Sequence, residues 1–131
     1  MDYEVVDVDD VDTIEMQALD EFPTGHKQLT AALGLEESHL NVWYYEPGDQ
    51  TAYHAHLEQE EVFYVLEGEF ELTLGPPDDK ETRTVGPGTV YAAGPEVGHG
   101  HEYVGDDRGV VLALGAPPVD DTFRDPASLE E

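Results

Sequence analysis

The sequence predicts an all-β fold, a small barrel or sandwich, on three observations. Short runs rich in β-branched and aromatic residues recur along most of the chain. Gly and Pro clusters separate them at short intervals: Pro47-Gly48, Gly75-Pro76-Pro77, Gly86-Pro87-Gly88 and Gly94-Pro95. Several runs alternate polar and apolar residues at period two, Glu69-Phe70-Glu71-Leu72-Thr73-Leu74 most plainly. Many short strands joined by such turns indicate β layers packed on one another or closed into a barrel. With 131 residues the chain suits a single domain, 1–131, around one core.

The elements follow in order. Residues 1–26 form an acidic arm or edge strand: the first 21 carry nine acids and no Lys or Arg, with Val5, Val6, Val8 and Val11 between them. A loop is expected from Asp20 to His26 around Pro23 and Gly25, then the start of a strand in Lys27 to Leu35. Leu40 to Glu46 is a better strand, holding Val42, Trp43, Tyr44 and Tyr45. Thr51 to His56, Glu61 to Leu66, Glu69 to Leu74, Glu81 to Val85, Thr89 to Ala93, His99 to Val104 and Val110 to Leu114 follow, each bounded by turn residues. Nothing in the chain reads as a helix. Both faces of Glu61 to Leu66 are largely apolar, which predicts cover on both sides by a second layer or a second subunit. Residues 117–131 form an acidic tail with one apolar anchor, Phe123.

Charge excludes whole classes of partner. Thirty-one Asp and Glu against five Lys and Arg give a formal net charge of −26. Five scattered cations cannot neutralise a run of phosphates, so neither nucleic acid nor an anionic membrane surface is expected as a partner. An acidic surface with only two lysines, Lys27 and Lys80, suits molar salt, where the screening length falls to about 3 Å. A halophile origin is therefore expected. The absence of Cys removes disulfides, thiolate metal sites and cysteine nucleophiles together. No apolar run is long enough to span a bilayer, and the acidic N-terminus lacks the basic start of a secretory signal. A soluble cytoplasmic protein is expected.

The chemistry concentrates in one stretch. His54 and His56, at i and i+2, project from one face of a strand, and Glu61 follows five residues later at the start of the next. Imidazole nitrogens with a carboxylate suit Fe, Mn, Zn, Ni or Cu. A His-x-His pair taken alone is more often two half-exposed strand histidines than a metal site. Glu60 is the alternative carboxylate, one residue out of register, whereas Glu61 shares its face with Phe63 and Val65. His26 and His39 fall in loops and read as surface residues. Tyr44, Tyr53, Tyr64, Tyr91 and Tyr103 read as barrel-wall packing, with proton donation as the other use. No triad-like serine context and no phosphate-binding glycine loop is present, so no catalytic residue is assigned.

The spacing Gly48-x5-His54-x-His56-x4-Glu61-x6-Gly68 resembles the first motif of the cupin superfamily, most recognisably across Glu60 to Glu69. The second motif is also similar. His99 follows Gly88 by eleven residues, the family's spacing for a fourth ligand, with His101 as a competing donor two residues on. The family's usual Pro and Gly between them fall on Gly94 and Glu96, and its terminal Asn on Tyr103. Together the motifs span residues 48–103.

What the resemblance implies is a single-domain cupin barrel, a jelly-roll-like double-stranded β-helix. One divalent transition metal ion would be held by His54, His56, Glu61 and His99 inside it. It further implies a small-molecule substrate, dioxygenase- or isomerase-like chemistry, and a homodimer of two packed barrels. A non-catalytic, sugar-like ligand-binding cupin is the other function consistent with the same residues.

Overall fold

A computed structural model of the chain describes residues 2–15, 23, 25–119 and 122–123, the last two by backbone alone. The described strands are β1 (Ile14–Glu15), β2 (Gly25–Gln28), β3 (His39–Tyr45), β4 (Gln50–His56), β5 (Glu60–Glu67), β6 (Phe70–Leu74), β7 (Glu81–Val85), β8 (Val90–Ala93), β9 (His99–Tyr103), β10 (Gly109–Ala116) and β11 (Thr122–Phe123). They pair antiparallel into a six-stranded sheet, β1-β2-β3-β10-β5-β8, and a five-stranded sheet, β11-β4-β9-β6-β7. The all-β, double-stranded β-helix prediction is correct, and from β3 to β10 the strand bounds agree with the expected ones within two residues.

The period-two pattern decides which residues meet between the sheets. Tyr45, Phe63, Val65, Phe70, Leu72, Tyr103, Val111 and Ala113 form the main buried cluster, with Trp43 packed against it. Tyr45 and Phe70 meet edge to face at 5.0 Å. Gly68, which closes the β5–β6 turn, has φ +88°, and a Cβ there would come within 2.7 Å of the Tyr103 ring and 3.2 Å of the Arg108 carbonyl. Chain reversal and core packing thus both require glycine at this position.

Three expectations need correction. Of the strand expected within Lys27 to Leu35 only Lys27 and Gln28 are strand, at the end of β2, and Leu29–Leu33 is a short helix, α1, ending at Gly34. The missed signal is Leu29-Thr30-Ala31-Ala32-Leu33, good helix formers before a glycine that adopts the left-handed cap. The helix turns Leu29 and Leu33 onto Val42 and Val110, which makes a second apolar cluster outside the six-stranded sheet.

His26 is not a surface loop residue. It lies in β2, 6% exposed, with its ring stacked on Trp43 at 4.5 Å. His39 opens β3 and is half-buried.

The expected two-sided cover of β5 is not supplied by the described residues. Phe63 and Val65 are buried inward, but Tyr64 and Leu66 on the outward face are 41% and 43% exposed. The N-terminal arm does contain an edge strand, β1, paired with β2 through Ile14 and His26. The Phe123 side chain, residues 124–131 and most of the expected loop from Asp20 lie outside the described residues. Among the described residues no helix is long and apolar enough to cross a membrane.

Candidate metal centre

His54 and His56 leave β4 on its inward face, Glu61 leaves β5, and His99 opens β9. Antiparallel pairing sets His54 opposite His99. The hairpin from β4 to β5 brings Glu61 to the same end of the barrel. His54 Nε2, His56 Nε2 and His99 Nε2 lie 3.2, 2.5 and 2.9 Å from a single oxygen, Glu61 Oε1. One donor atom from each of the four residues lies within 4.8 Å of all the others. The three histidines are buried and Glu61 is nearly so.

Protonation decides what this cluster can do. His54 Nδ1–H donates to the Ala52 carbonyl at 2.7 Å, and His99 Nδ1–H donates to the Val97 carbonyl at 2.9 Å. A carbonyl only accepts, so both Nδ1 atoms carry a proton, which leaves Nε2 as the ring nitrogen that faces Glu61. Burial pushes the Glu61 carboxyl up, but hydrogen bonds from His54, His56 and His99 outweigh it and hold the group far below the usual carboxylate range. Glu61 is therefore an anion offering only lone pairs. Protons on Nε2 can bridge these short contacts, and a metal ion can replace them because it binds the same nitrogen and oxygen lone pairs. Three imidazole nitrogens and one carboxylate oxygen are the donor set for a divalent first-row ion, and backbone carbonyls fixing the outer ring nitrogens are the usual support for such ligands. The residues present thus fit a metal ion.

His101, the competing donor, is engaged elsewhere. Its Nε2 lies 2.6 Å from the Tyr45 hydroxyl, its Nδ1 is bonded to the Tyr91 hydroxyl, and Tyr45 also reaches Thr51 Oγ1 at 2.9 Å. Burial, reinforced by His99, pushes the His101 pKa down to about 3, so its ring is neutral. Burial pushes both phenols up, so they keep their protons. The Phe63 ring stacks on Tyr91 at 4.8 Å and lies 5.7 Å from His99, between this buried chain and the cluster. Sequence reasoning assigned Tyr91 to wall packing and did not single out Tyr45. The available signal was parity: Tyr45 is two residues from Trp43 on the inward face.

Glu60 is exposed and points away from the cluster. Gln59, buried, donates from Nε2 to the Pro117 and Val119 carbonyls at 3.1 and 3.3 Å. Its amide lies against Gly115, where a Cβ would come within 2.7 Å. Gly115 pairs with Glu61, so this contact buttresses the Glu61 end of β5.

The family model for the cupin domain matches residues 41–115, more than half of the chain. No curated protein matches. Among solved structures, the polyketide cyclase RemF from Streptomyces resistomycificus is 26% identical with a TM-score of 0.75, covering 92% of this chain and 83% of that one. A proposed sugar phosphate isomerase from Acidithiobacillus ferrooxidans is 29% identical with a TM-score of 0.62, and the match covers 70% of this chain but only 57% of that protein. A sugar phosphate isomerase from Silicibacter pomeroyi shares the fold at 24% identity, with a TM-score of 0.71 over 86% of this chain and 75% of that one. With the family match spanning the strands that carry all four clustered side chains, the chain belongs to the cupin superfamily.

Proposed function

We propose that the protein is a metal-dependent cupin enzyme, one domain over residues 1–131, acting on a small oxygen-bearing organic molecule inside the barrel. One observation carries the reading: four lone-pair donors converge on one point, two of them oriented by backbone carbonyls. His54, His56, Glu61 and His99 would hold the ion. A divalent ion at that place supplies Lewis acidity toward a substrate oxygen, or a site for dioxygen. The chain's own residues do the rest. Glu61 keeps the cluster anionic, Phe63 closes it on the core side, and Tyr45 and Tyr91 hold protons on hydroxyls joined through His101.

The likeness to a polyketide cyclase and to a proposed isomerase favours a redox-neutral rearrangement over oxygenation. Metal content of the purified protein, followed by oxygen uptake and product analysis on small diols, phenols and keto acids, tests this. Product formed without oxygen uptake supports rearrangement. Stoichiometric uptake would move the assignment to dioxygenation.

We infer further that two copies pair through the outer face of the six-stranded sheet, in a salt-rich setting. The central outward positions of β3, β5, β8 and β10 carry no acidic side chain, in a chain with 31 acids. Tyr64, Leu66, Val90 and Leu114 are exposed on that face. Pairing there removes apolar surface from water and leaves the acids outside.

A further inference from the structure

Only Leu57-Glu58-Gln59 join β4, which ends on His56, to β5, whose second residue is Glu61. Leu57 and Glu58 are exposed, whereas Gln59 is 5% exposed. A long polar side chain is rarely buried unless its amide is bonded. Gln59 Nε2 donates to the Pro117 carbonyl at 3.1 Å and the Val119 carbonyl at 3.3 Å, which uses both of its protons. The Val119 N–H also donates to the Pro117 carbonyl, at 2.8 Å, and folds Pro117–Val119 into a narrow turn against the amide.

Gly115 shows how closely the amide is held. It pairs with Glu61, and a Cβ there would come within 2.7 Å of Gln59 Cδ and 2.9 Å of both Nε2 and Oε1. Gly115 is not among the glycines with positive φ, so space rather than backbone conformation calls for glycine here. Ala116 then pairs with Glu60, and the backbone of Thr122 pairs with His56. The chain leaving β10 is therefore tied to both ends of the connection between His56 and Glu61. Gln59 and Glu61 also share one parity, both turned in, while Glu60 is exposed. A slip by one residue would turn Glu61 out and Glu60 in. His56 has its own anchor, since its carbonyl accepts the Glu96 N–H at 2.6 Å.

We propose that Gln59 is a positioning residue for the metal centre: by binding the Pro117–Val119 turn, it holds Glu61 Oε1 in place among His54, His56 and His99. The inference rests on those four residues binding the ion. Held in this way, the Glu61 carboxylate is ordered before a metal arrives, so binding does not have to order the connection as well. Coupling of this kind runs both ways. If the docked turn strengthens metal binding, bound metal must strengthen the docking by the same factor.

The probe is the metal alone: Mn, Fe, Zn, Ni or Cu, whichever wild type takes up, titrated against a chelator. Gln59→Met keeps the length of the side chain and removes both donors, and should weaken binding about tenfold or more. Gly115→Ala presses a Cβ onto the amide from the opposite side and should weaken it likewise. Hydrogen exchange reads the reverse direction. In wild type the Val119 N–H should exchange about tenfold more slowly with metal than without, and in Gln59→Met the metal should make little difference. A residue that served stability alone would lower the Tm of metal-free and loaded protein equally and leave affinity unchanged. Unchanged affinity in either folded variant, or a wild-type Val119 N–H whose exchange ignores the metal, would overturn the role; the exchange measurement needs no variant to fold. A wild type that takes up none of the five ions would instead sink the metal reading, and this role with it.

Discussion

His99 Nε2 stands 2.9 Å from Glu61 Oε1, although 38 residues separate them in sequence. The contact exists because β9 pairs with β4 while β5 returns from β4, so one strand serves both partners. His101 has the same parity on β9 but lies between two phenols, Tyr45 and Tyr91. Two residues along a strand therefore separate a metal-type donor from a buried structural imidazole.

The first prediction follows from that separation. His56→Ala should lower metal occupancy, and His54→Ala with His56→Ala should abolish it. His101→Ala should keep full occupancy while losing about 3 kcal/mol of stability, through a cavity and a Tyr91 hydroxyl that loses its His101 partner, whereas Tyr45 keeps its bond to Thr51. Elemental analysis beside denaturant melts reads both quantities. Loss of metal in His101→Ala with retention in His99→Ala would reverse the assignment.

The cluster was legible in the sequence because its three local members lie within eight residues on two strands of one hairpin. The fourth was legible only as a spacing from Gly88. The buried chain of Thr51, Tyr45, His101 and Tyr91 was not, since it joins four strands by side-chain bonds that no local pattern encodes. His26 was misread for a related reason. Pro23 and Gly25 signal a turn, yet the strand begins at Gly25 itself, and pairing with β3 carries His26 inside. The short helix was lost among β signals because five residues are too few to show a helical period.

Burial lowers the His26 pKa, which gives a prediction in pH. The unfolded chain takes up a proton near pH 6.5 while the folded ring resists it. Stability is thus full above that value and falls as pH drops from there toward the lower folded pKa. His26→Phe keeps the stack on Trp43 and removes the titration. Its stability should fall less between pH 7 and 5 than wild type's, by up to about 1.4 kcal/mol per pH unit. Chemical denaturation across that range measures it, and parallel slopes would contradict the prediction.

Glu96 carries φ +68° in the turn before β9, at the position where the family pattern has glycine. A left-handed non-glycine residue costs roughly 1–2 kcal/mol, part of which glycine returns through a freer unfolded chain. Glu96→Gly should therefore raise stability by about 0.5–1 kcal/mol, seen as a Tm higher by a few degrees. A lowered Tm would show that the Glu96 side chain matters more than its backbone.

Tyr64→Glu would place a carboxylate in the acid-free outer face. Light scattering in molar KCl should find wild type as a dimer and the variant as a monomer with the same metal content. Because two chains of −26 repel each other, the wild-type dimer should loosen in dilute buffer, and its Tm should fall there. A wild-type monomer at both salt concentrations would contradict the pairing.

The most direct test is the metal content of the wild-type protein, produced with Fe, Mn, Zn, Ni and Cu each supplied in turn and measured by elemental analysis against protein concentration. Four converging lone-pair donors predict one divalent transition ion per chain for at least one of these metals, lost in His54→Ala with His56→Ala. A folded wild-type protein that carries none of the five would contradict the account.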